Sequence, residues 1–361
     1  MAIEAFVSAG SRILERKPSA SHLGAAILAA WTNGRMRSDK GTRLIPPLEP
    51  IRADMAQVDW WLHEAVARIE EPLGSKLGSL LGGGKRIRPA LAILSGQVFV
   101  PSSVPFYKLA AAVEMLHTAT LIHDDVVDES PTRRGRKTLH TMWPTGATVL
   151  AGDYLMAMAV SLVAELERPR ALKVLADTLC AMCAGEIRQM LATVGGYRDR
   201  ETYFRHIGAK TASLCAAATE MAGILVGADE AHVSALRRFG WELGIAFQIV
   251  DDVLDFVGDE AQLGKPAGSD LGHGVATLPV VHYLETAGDD SVVGGVLSGE
   301  RDEARVRAAV DAIRASGAIE TSLAEAAAAS SRGQDALMAL PGNAARDTLC
   351  ALADYVVTRR R

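Results

Sequence analysis

From residue 51 onward, apolar positions return every three or four residues. The stretch IRADMAQVDWWLHEAVARIEEPL (51–73) places Met55, Val58, Trp61, Leu62, Ala65 and Ile69 on one face of a 3.6-residue period. The same spacing predicts helices over 107–128, 146–166, 170–195, 200–224, 230–257, 275–286, 301–315, 317–338 and 343–358. No alternating strand pattern of useful length interrupts them. Gly and Pro gather at 82–89, 101–105, 195–196 and 264–274, where connections are needed. The expectation is one all-α domain over 51–361, a large antiparallel helix bundle around a central cavity.

The first fifty residues read differently. Residues 1–44 carry seven Lys/Arg against three Asp/Glu, and the stretch ends in IPPLEP (45–50). Glu4, Glu15 and Asp39 count against an organelle-targeting peptide, so 1–50 is expected to be a poorly ordered or loosely packed extension. GAAILAAW (24–31) is too short to cross a membrane, and no apolar run elsewhere reaches the roughly eighteen residues a span requires.

Composition narrows the setting. Half the residues are hydrophobic (49%) while only 5% are aromatic, which favours helix over strand. A net charge of −5 argues against a general partnership with nucleic acid. Four cysteines are too few for a disulfide scaffold and fit a reducing, cytoplasmic location.

Within the bundle, one motif nearly repeats. IHDDVVDE (122–129) and IVDDVLDF (249–256) share DDVxD, 127 residues apart. In each, the acids at i and i+4 share a helical face, so Asp124 projects with Asp128 and Asp251 with Asp255, and Asp125 and Asp252 lie beside them. One such motif could be a solvated helix edge; two at the ends of apolar helices are hard to explain that way. Six close carboxylates repel unless cations lie between them. Oxygen donors without His or Cys at ligand spacing suit Mg²⁺, which shares its coordination with water and phosphate oxygens. Two clusters facing each other across a cavity would hold a diphosphate through bridging metals.

Basic residues suggest a second anion. GGGKRIRP (82–89) sets Lys85, Arg86 and Arg88 after three glycines, where backbone and side chains can approach phosphate oxygens. It is not a nucleotide P-loop, since Ser79 stands where Gly is required and Arg86 where Ser or Thr is. Arg133 and Arg134 follow Asp128 closely enough to reach back, and His117 lies two turns before Asp124 on the same face.

These stretches, with EMLHTATLIHDDVVDESPTRRG (114–135), GEIRQ (185–189), KTA (210–212) and FQIVDDVLDFVGDEAQLGKPAGSDL (247–271), resemble the trans-isoprenyl diphosphate synthases, the polyprenyl synthetase family, and most closely its long-chain members. The resemblance covers the chain from about residue 50. It implies an all-α dimer that condenses an allylic prenyl diphosphate with isopentenyl diphosphate, using two or three Mg²⁺ ions. On this basis Lys85, Arg88, His117 and Arg134 are expected to bind isopentenyl diphosphate. Asp124, Asp128, Asp251 and Asp255 are expected to hold metal, with Asp125 and Asp252 in support. Arg133, Lys210, Thr211, Gln248 and Lys265 are expected to contact the allylic substrate or its leaving group. Asp124, Asp128, Asp251, Lys210 and Arg133 would carry the chemistry.

One departure from the family pattern is GVAT (274–277), where Val275 stands in place of a common Lys; Lys265 in GKPAGSDL is retained. Short-chain relatives place a bulky aromatic four or five residues before the first acid. Here Thr120 and Ala119 occupy those positions, and no aromatic lies between Tyr107 and Asp124. The expected product is therefore long, with geranylgeranyl diphosphate as the alternative. A class I terpene cyclase would not need the basic cluster, and a non-catalytic subunit would be expected to have lost an acidic motif. A water-insoluble product would favour loose contact with a membrane. Cys180 and Cys183 read as small core packing, His123 as a residue tuning the acids, and TRRR (358–361) as an exposed tail.

Overall fold

A computed structural model describes residues 44–359, apart from 68, 134–135, 192–198, 259–265 and 289–290. A 3₁₀ turn (Pro46–Ile51) leads into α1 (Arg52–Ala67), α2 (Leu73–Leu81), α3 (Ile87–Gln97), α4 (Val104–Val127), α5 (Thr145–Ala164) and α6 (Pro169–Met190). There follow α7 (Arg200–Ile207), a π-helical turn (Gly208–Ala212), α8 (Ser213–Val226), α9 (Glu230–Val257), α10 (Ser269–Gly272), α11 (Leu278–Ala287), α12 (Val292–Leu297), α13 (Glu303–Ala315), α14 (Ala318–Leu337) and α15 (Ala344–Thr358). The expected all-α architecture is observed. Its strand content among the described residues is one short hairpin, β1 (Thr132–Arg133) against β2 (Arg136–Lys137).

The packing follows from the apolar stripes. In α9, Val233, Leu236, Phe239, Leu243 and Ala246 are buried at helical spacing, and the helix lies along α8 and α14. The Asp229 side chain starts α9 by accepting the backbone N–H of His232 at 2.8 Å. Close approach to α8 requires Gly240, because a Cβ there would lie 2.4 Å from Thr219 Oγ1 and 2.5 Å from the Cys215 carbonyl oxygen. α4 packs along α5 and α3. A second apolar cluster, including Phe256, Leu271, Val281, Val296 and Ile313, surrounds the end of α9 and supports the second acidic motif from behind.

Several expectations change. Helix 170–195 stops at Met190, and 200–224 is broken by the π turn. α3 has no period to read, because nine of its residues (Ile87 and Pro89 through Gly96) are buried on all sides. In the expected 1–50 extension, Ile45 and Leu48 belong to the main core; residues 1–43 lie outside the described residues. Cys180 and Cys183 are exposed on α6 and so are not core packing. α5 is long and apolar enough to cross a membrane by length and composition, contrary to the reading of the sequence, where Asp153 interrupts the run. Leu155, Ala159, Leu162 and Val163 of α5 are buried in the core, while Val149 and Leu150 remain exposed.

Candidate active site

A cavity of about 990 Å³ opens among α3, α4, α6, the π turn and α9. On α4 the residues 114, 117, 121, 124 and 128 follow the 3-4 helical spacing, and Glu114, His117, Leu121, Asp124 and Asp128 all line it. Asp124 and Asp128 sit at the C-terminal end of α4, where the helix dipole adds further negative potential. Asp251 of α9, Lys85, Arg88, Arg133, Lys210, Thr211 and Gln248 complete the expected residues found in the wall. Arg134 and Lys265 lie outside the described residues.

The π turn explains how Lys210 and Thr211 reach the cavity. One extra residue per turn rotates the chain at Gly208–Ala212, between two regular helices. The backbone at Ala212 presses against α9, where a Cβ on Gly244 would lie 2.5 Å from the Ala212 Cα. Lys210 Nζ then stands 3.0 Å from Glu186 and 3.7 Å from Asp124. Thr211 donates to Gln248 Oε1 at 2.7 Å, and Gln248 Nε2 donates to Asp252 Oδ1 at 2.9 Å.

The middle acid of each motif faces away from the cavity. Asp125 accepts from Arg133 Nε at 2.6 Å, anchoring the hairpin that carries that arginine. Asp252 accepts from Tyr203 at 2.7 Å as well as from Gln248. Burial pushes Asp252 up to about 8, against the hydrogen bonds from Tyr203 and Gln248. Burial also raises Asp124, which Lys210 opposes and Glu186 and Asp128 reinforce, and raises Asp251 against Arg359 and Lys85. Burial works against the Lys210 ammonium, but Asp124 and Glu186 outweigh it and the group is raised.

Asp255 departs from the expected arrangement. It is 3% exposed, and its Oδ2 accepts the backbone N–H of Asp270 at 3.1 Å. The segment at Gly268–Asp270 folds back over it, with the Gly268 N–H also donating to the Asp255 carbonyl at 2.9 Å, and Asp255 lies off the cavity wall. Asp270 lines the cavity, and the sequence reading had not singled it out. Glu186, within GEIRQ, is likewise a wall residue that the sequence does not single out. Arg359, read as part of an exposed tail, is buried: it pairs with Asp251 Oδ1 at 2.8 Å, donates to the Phe247 carbonyl at 2.9 Å and stacks 4.0 Å from the Phe247 ring centroid. His123 turns to α5, with Nε2 3.1 Å from the Val149 carbonyl and 3.3 Å from Asp153.

Burial and the Lys210 ammonium push His206 down to about 4, so it stays neutral beside that lysine. Between pH 6.5 and 4 the unfolded chain therefore binds a proton that the folded chain refuses, and stability falls as pH drops through this window. His206→Gln is expected to flatten that loss, measured as the difference in Tm between pH 7 and pH 4.5; an unchanged difference would exclude His206 as the source.

The donor set suits a hard divalent cation. Asp124, Asp128 and Asp251 present oxygen ligands to the cavity, and the raised positions of Asp124 and Asp251 mean that local cations do not fully compensate them. Among the described residues, no three His, Cys, Asp or Glu side chains converge to hold an ion by themselves.

Known proteins share this sequence and fold. The chain is 40% identical over 307 residues to heptaprenyl diphosphate synthase component 2 of Geobacillus stearothermophilus, covering 85% of this chain and 96% of the relative. It is 36% identical to nonaprenyl diphosphate synthase of Mycobacterium tuberculosis, over 86% of this chain and 93% of that one. A polyprenyl synthase from Caulobacter crescentus, solved with calcium and isoprenyl diphosphate, superposes with a TM-score of 0.80 at 36% identity, covering 87% of this chain and 97% of its own. The polyprenyl synthetase family model matches residues 71–313, so the chain belongs to the polyprenyl synthetase family and is a prenyltransferase.

Proposed function

We propose that this prenyltransferase condenses an allylic prenyl diphosphate head to tail with isopentenyl diphosphate, releasing pyrophosphate and forming a long all-trans polyprenyl diphosphate. The observation that carries the reading is one cavity whose wall holds both a set of carboxylates and a set of basic side chains. Asp124, Asp128 and Asp251 form an acidic pole for metal-bound diphosphate, and Lys85, Arg88 and His117 form a basic pole for the second diphosphate. A cyclase acting on one diphosphate has no use for the second pole.

Asp124, Asp128 and Asp251 would hold two or three Mg²⁺ ions, with Asp270 in the same wall; Asp255 is left out because it does not line the cavity and its Oδ2 is held by the Asp270 backbone. Bound magnesium would stabilise the charge that develops on the leaving pyrophosphate. Lys210 and Arg133 add fixed positive charge at the same place, and Thr211 and Gln248 fix the wall through their hydrogen bond. The allylic carbon–oxygen bond breaks with its electron pair leaving on pyrophosphate. The isopentenyl double bond then forms the new carbon–carbon bond, and the proton lost passes to a pyrophosphate oxygen. No side-chain nucleophile takes part.

The length assignment draws on the two relatives named for long-chain products and on Thr120, a small side chain in the cavity wall below Asp124. The exposed apolar residues Val149 and Leu150 on α5 support a homodimer through that helix. A water-insoluble product supports loose contact with a membrane, and four free cysteines among the described residues suit a cytoplasmic setting.

The test is product analysis of the purified chain given Mg²⁺, labelled isopentenyl diphosphate and geranyl, farnesyl or geranylgeranyl diphosphate in turn. A long prenyl product is expected. A geranylgeranyl product would sink the length assignment. No condensation with any starter would sink self-sufficiency and direct the search to a partner, as the Geobacillus relative is named as one component of its enzyme.

A further inference from the structure

In sequence Arg86 stands with Lys85 and Arg88 as a side chain able to approach phosphate. It borders the cavity, but its partners hold its charge elsewhere. The guanidinium is 3% exposed and its amino groups are committed: Nη1 to Glu114 of α4 at 2.7 Å, Nη2 to the Leu81 carbonyl at 2.7 Å and to Asp59 of α1 at 2.9 Å. Three elements meet on this one side chain. Two carboxylates already answer its charge, so it has none to offer a substrate.

The backbone is unusual at the same place. Gly83 and Gly84 adopt φ of 89° and 88°, and Arg86 adopts φ of 54°, a left-handed conformation that a residue with a Cβ avoids unless its surroundings impose it. Arg86 is also the residue that starts α3. The turn it makes sets the direction in which Lys85 leaves the loop and Arg88 leaves the first turn of the helix.

The contacts form two rungs between this segment and α4. Arg86 meets Glu114, and Arg88 Nη1 lies 3.2 Å from His117 Nε2. Glu114 and His117 are one helical turn apart on the face that lines the cavity. Both rungs border the cavity; the first is the more deeply buried and is an ion pair. A slip in the first would carry Arg88 and Lys85 along α4 away from His117.

We propose that Arg86 is a positioning residue for the basic pole: its ion pairs with Glu114 and Asp59 hold the loop so that Lys85, Arg88 and His117 converge on one diphosphate. This rests on the proposed function, in which that pole binds isopentenyl diphosphate. Removing one partner of a buried ion pair also weakens the fold, so affinity must be separated from stability.

Two variants do so, Arg86→Gln and the milder Glu114→Gln, which keeps an acceptor for Arg86. Each is assayed with both substrates varied, after its folded fraction is measured. For Arg86→Gln the expected result is a KM for isopentenyl diphosphate raised about tenfold, the equivalent of one charge-assisted hydrogen bond misplaced, with the KM for the allylic diphosphate unchanged. Glu114→Gln should shift the same constant in the same direction by less, and it carries the test alone if Arg86→Gln does not fold. A fall in kcat or in active fraction with both KM values unchanged, or an equal rise in both, would overturn the proposal and leave Arg86 as a structural residue only. Lys85→Ala separates the two readings. If it raises the KM for isopentenyl diphosphate while the other variants do not, only the positioning role fails; if it does not, the assignment of the basic pole fails and the positioning role with it.

Discussion

Asp124→Ala is expected to lower turnover by about 10³-fold or more, the scale of losing a group that stabilises transition-state charge, while leaving the protein folded. Asp124 lies at the negative end of α4, faces the cavity and stands 3.7 Å from Lys210. Without it the acidic pole loses a metal ligand and Lys210 loses one of its two partners. The fold should tolerate the change, because burial holds this carboxyl above its usual range and its ionised form therefore costs stability at neutral pH. The metal-free Tm should match or exceed that of the parent, and the rise in Tm on adding Mg²⁺ should shrink. Turnover and melting curves with and without Mg²⁺ check both parts. Near-parental turnover would end the metal-clamp account; an unfolded variant would mean that Asp124 has a structural role the packing does not reveal.

The second large effect concerns product length. Thr120→Phe is expected to shift the main product to shorter chains. Thr120 lies in the cavity wall one turn below Asp124, and an aromatic ring there would stand in the path of a growing apolar tail. Its hydroxyl donates to the His117 carbonyl at 2.8 Å, a bond within the helix that the fold can lose. Ala119 was read from the sequence as an equal partner in this opening. In the structure it is fully buried and outside the cavity wall. Ala119→Phe should instead overpack the core, lowering stability by roughly 1–3 kcal/mol. Product chromatography for each variant, beside its Tm, separates the two positions. An unchanged distribution from a folded Thr120→Phe would place the limit on chain growth elsewhere along the cavity.

Positions 119 and 120 show where a sequence reading stops. Both are small and both precede the first acid at the right distance, yet the rotation of α4 gives one to the core and one to the cavity. The acidic motifs behave in the same way. Spacing alone pairs Asp251 with Asp255 as well as Asp124 with Asp128. The structure keeps the first motif together and divides the second, because the segment at Gly268–Asp270 folds back onto Asp255. Arg86 and Arg88 look alike in GGGKRIRP and both border the cavity, but beyond a left-handed turn one is buried in an ion pair with Glu114 and the other meets His117.

The sequence by itself did not show α2, α3 or α12, but it determined the longer amphipathic helices, the all-α class and the presence of two acidic motifs and a basic loop. These are local properties, set by a 3.6-residue apolar period and by acids one turn apart, and they survive whatever the helices pack against. Only the tertiary structure decided which of these charges share the cavity. Arg359 meets Asp251 across 108 residues of chain, Arg86 meets Glu114 on another helix, and the π turn at Gly208–Ala212 brings Lys210 to Glu186 and Asp124. No local pattern encodes such meetings. They follow from how each helix rotates to bury its apolar face, and that rotation depends on every neighbour at once.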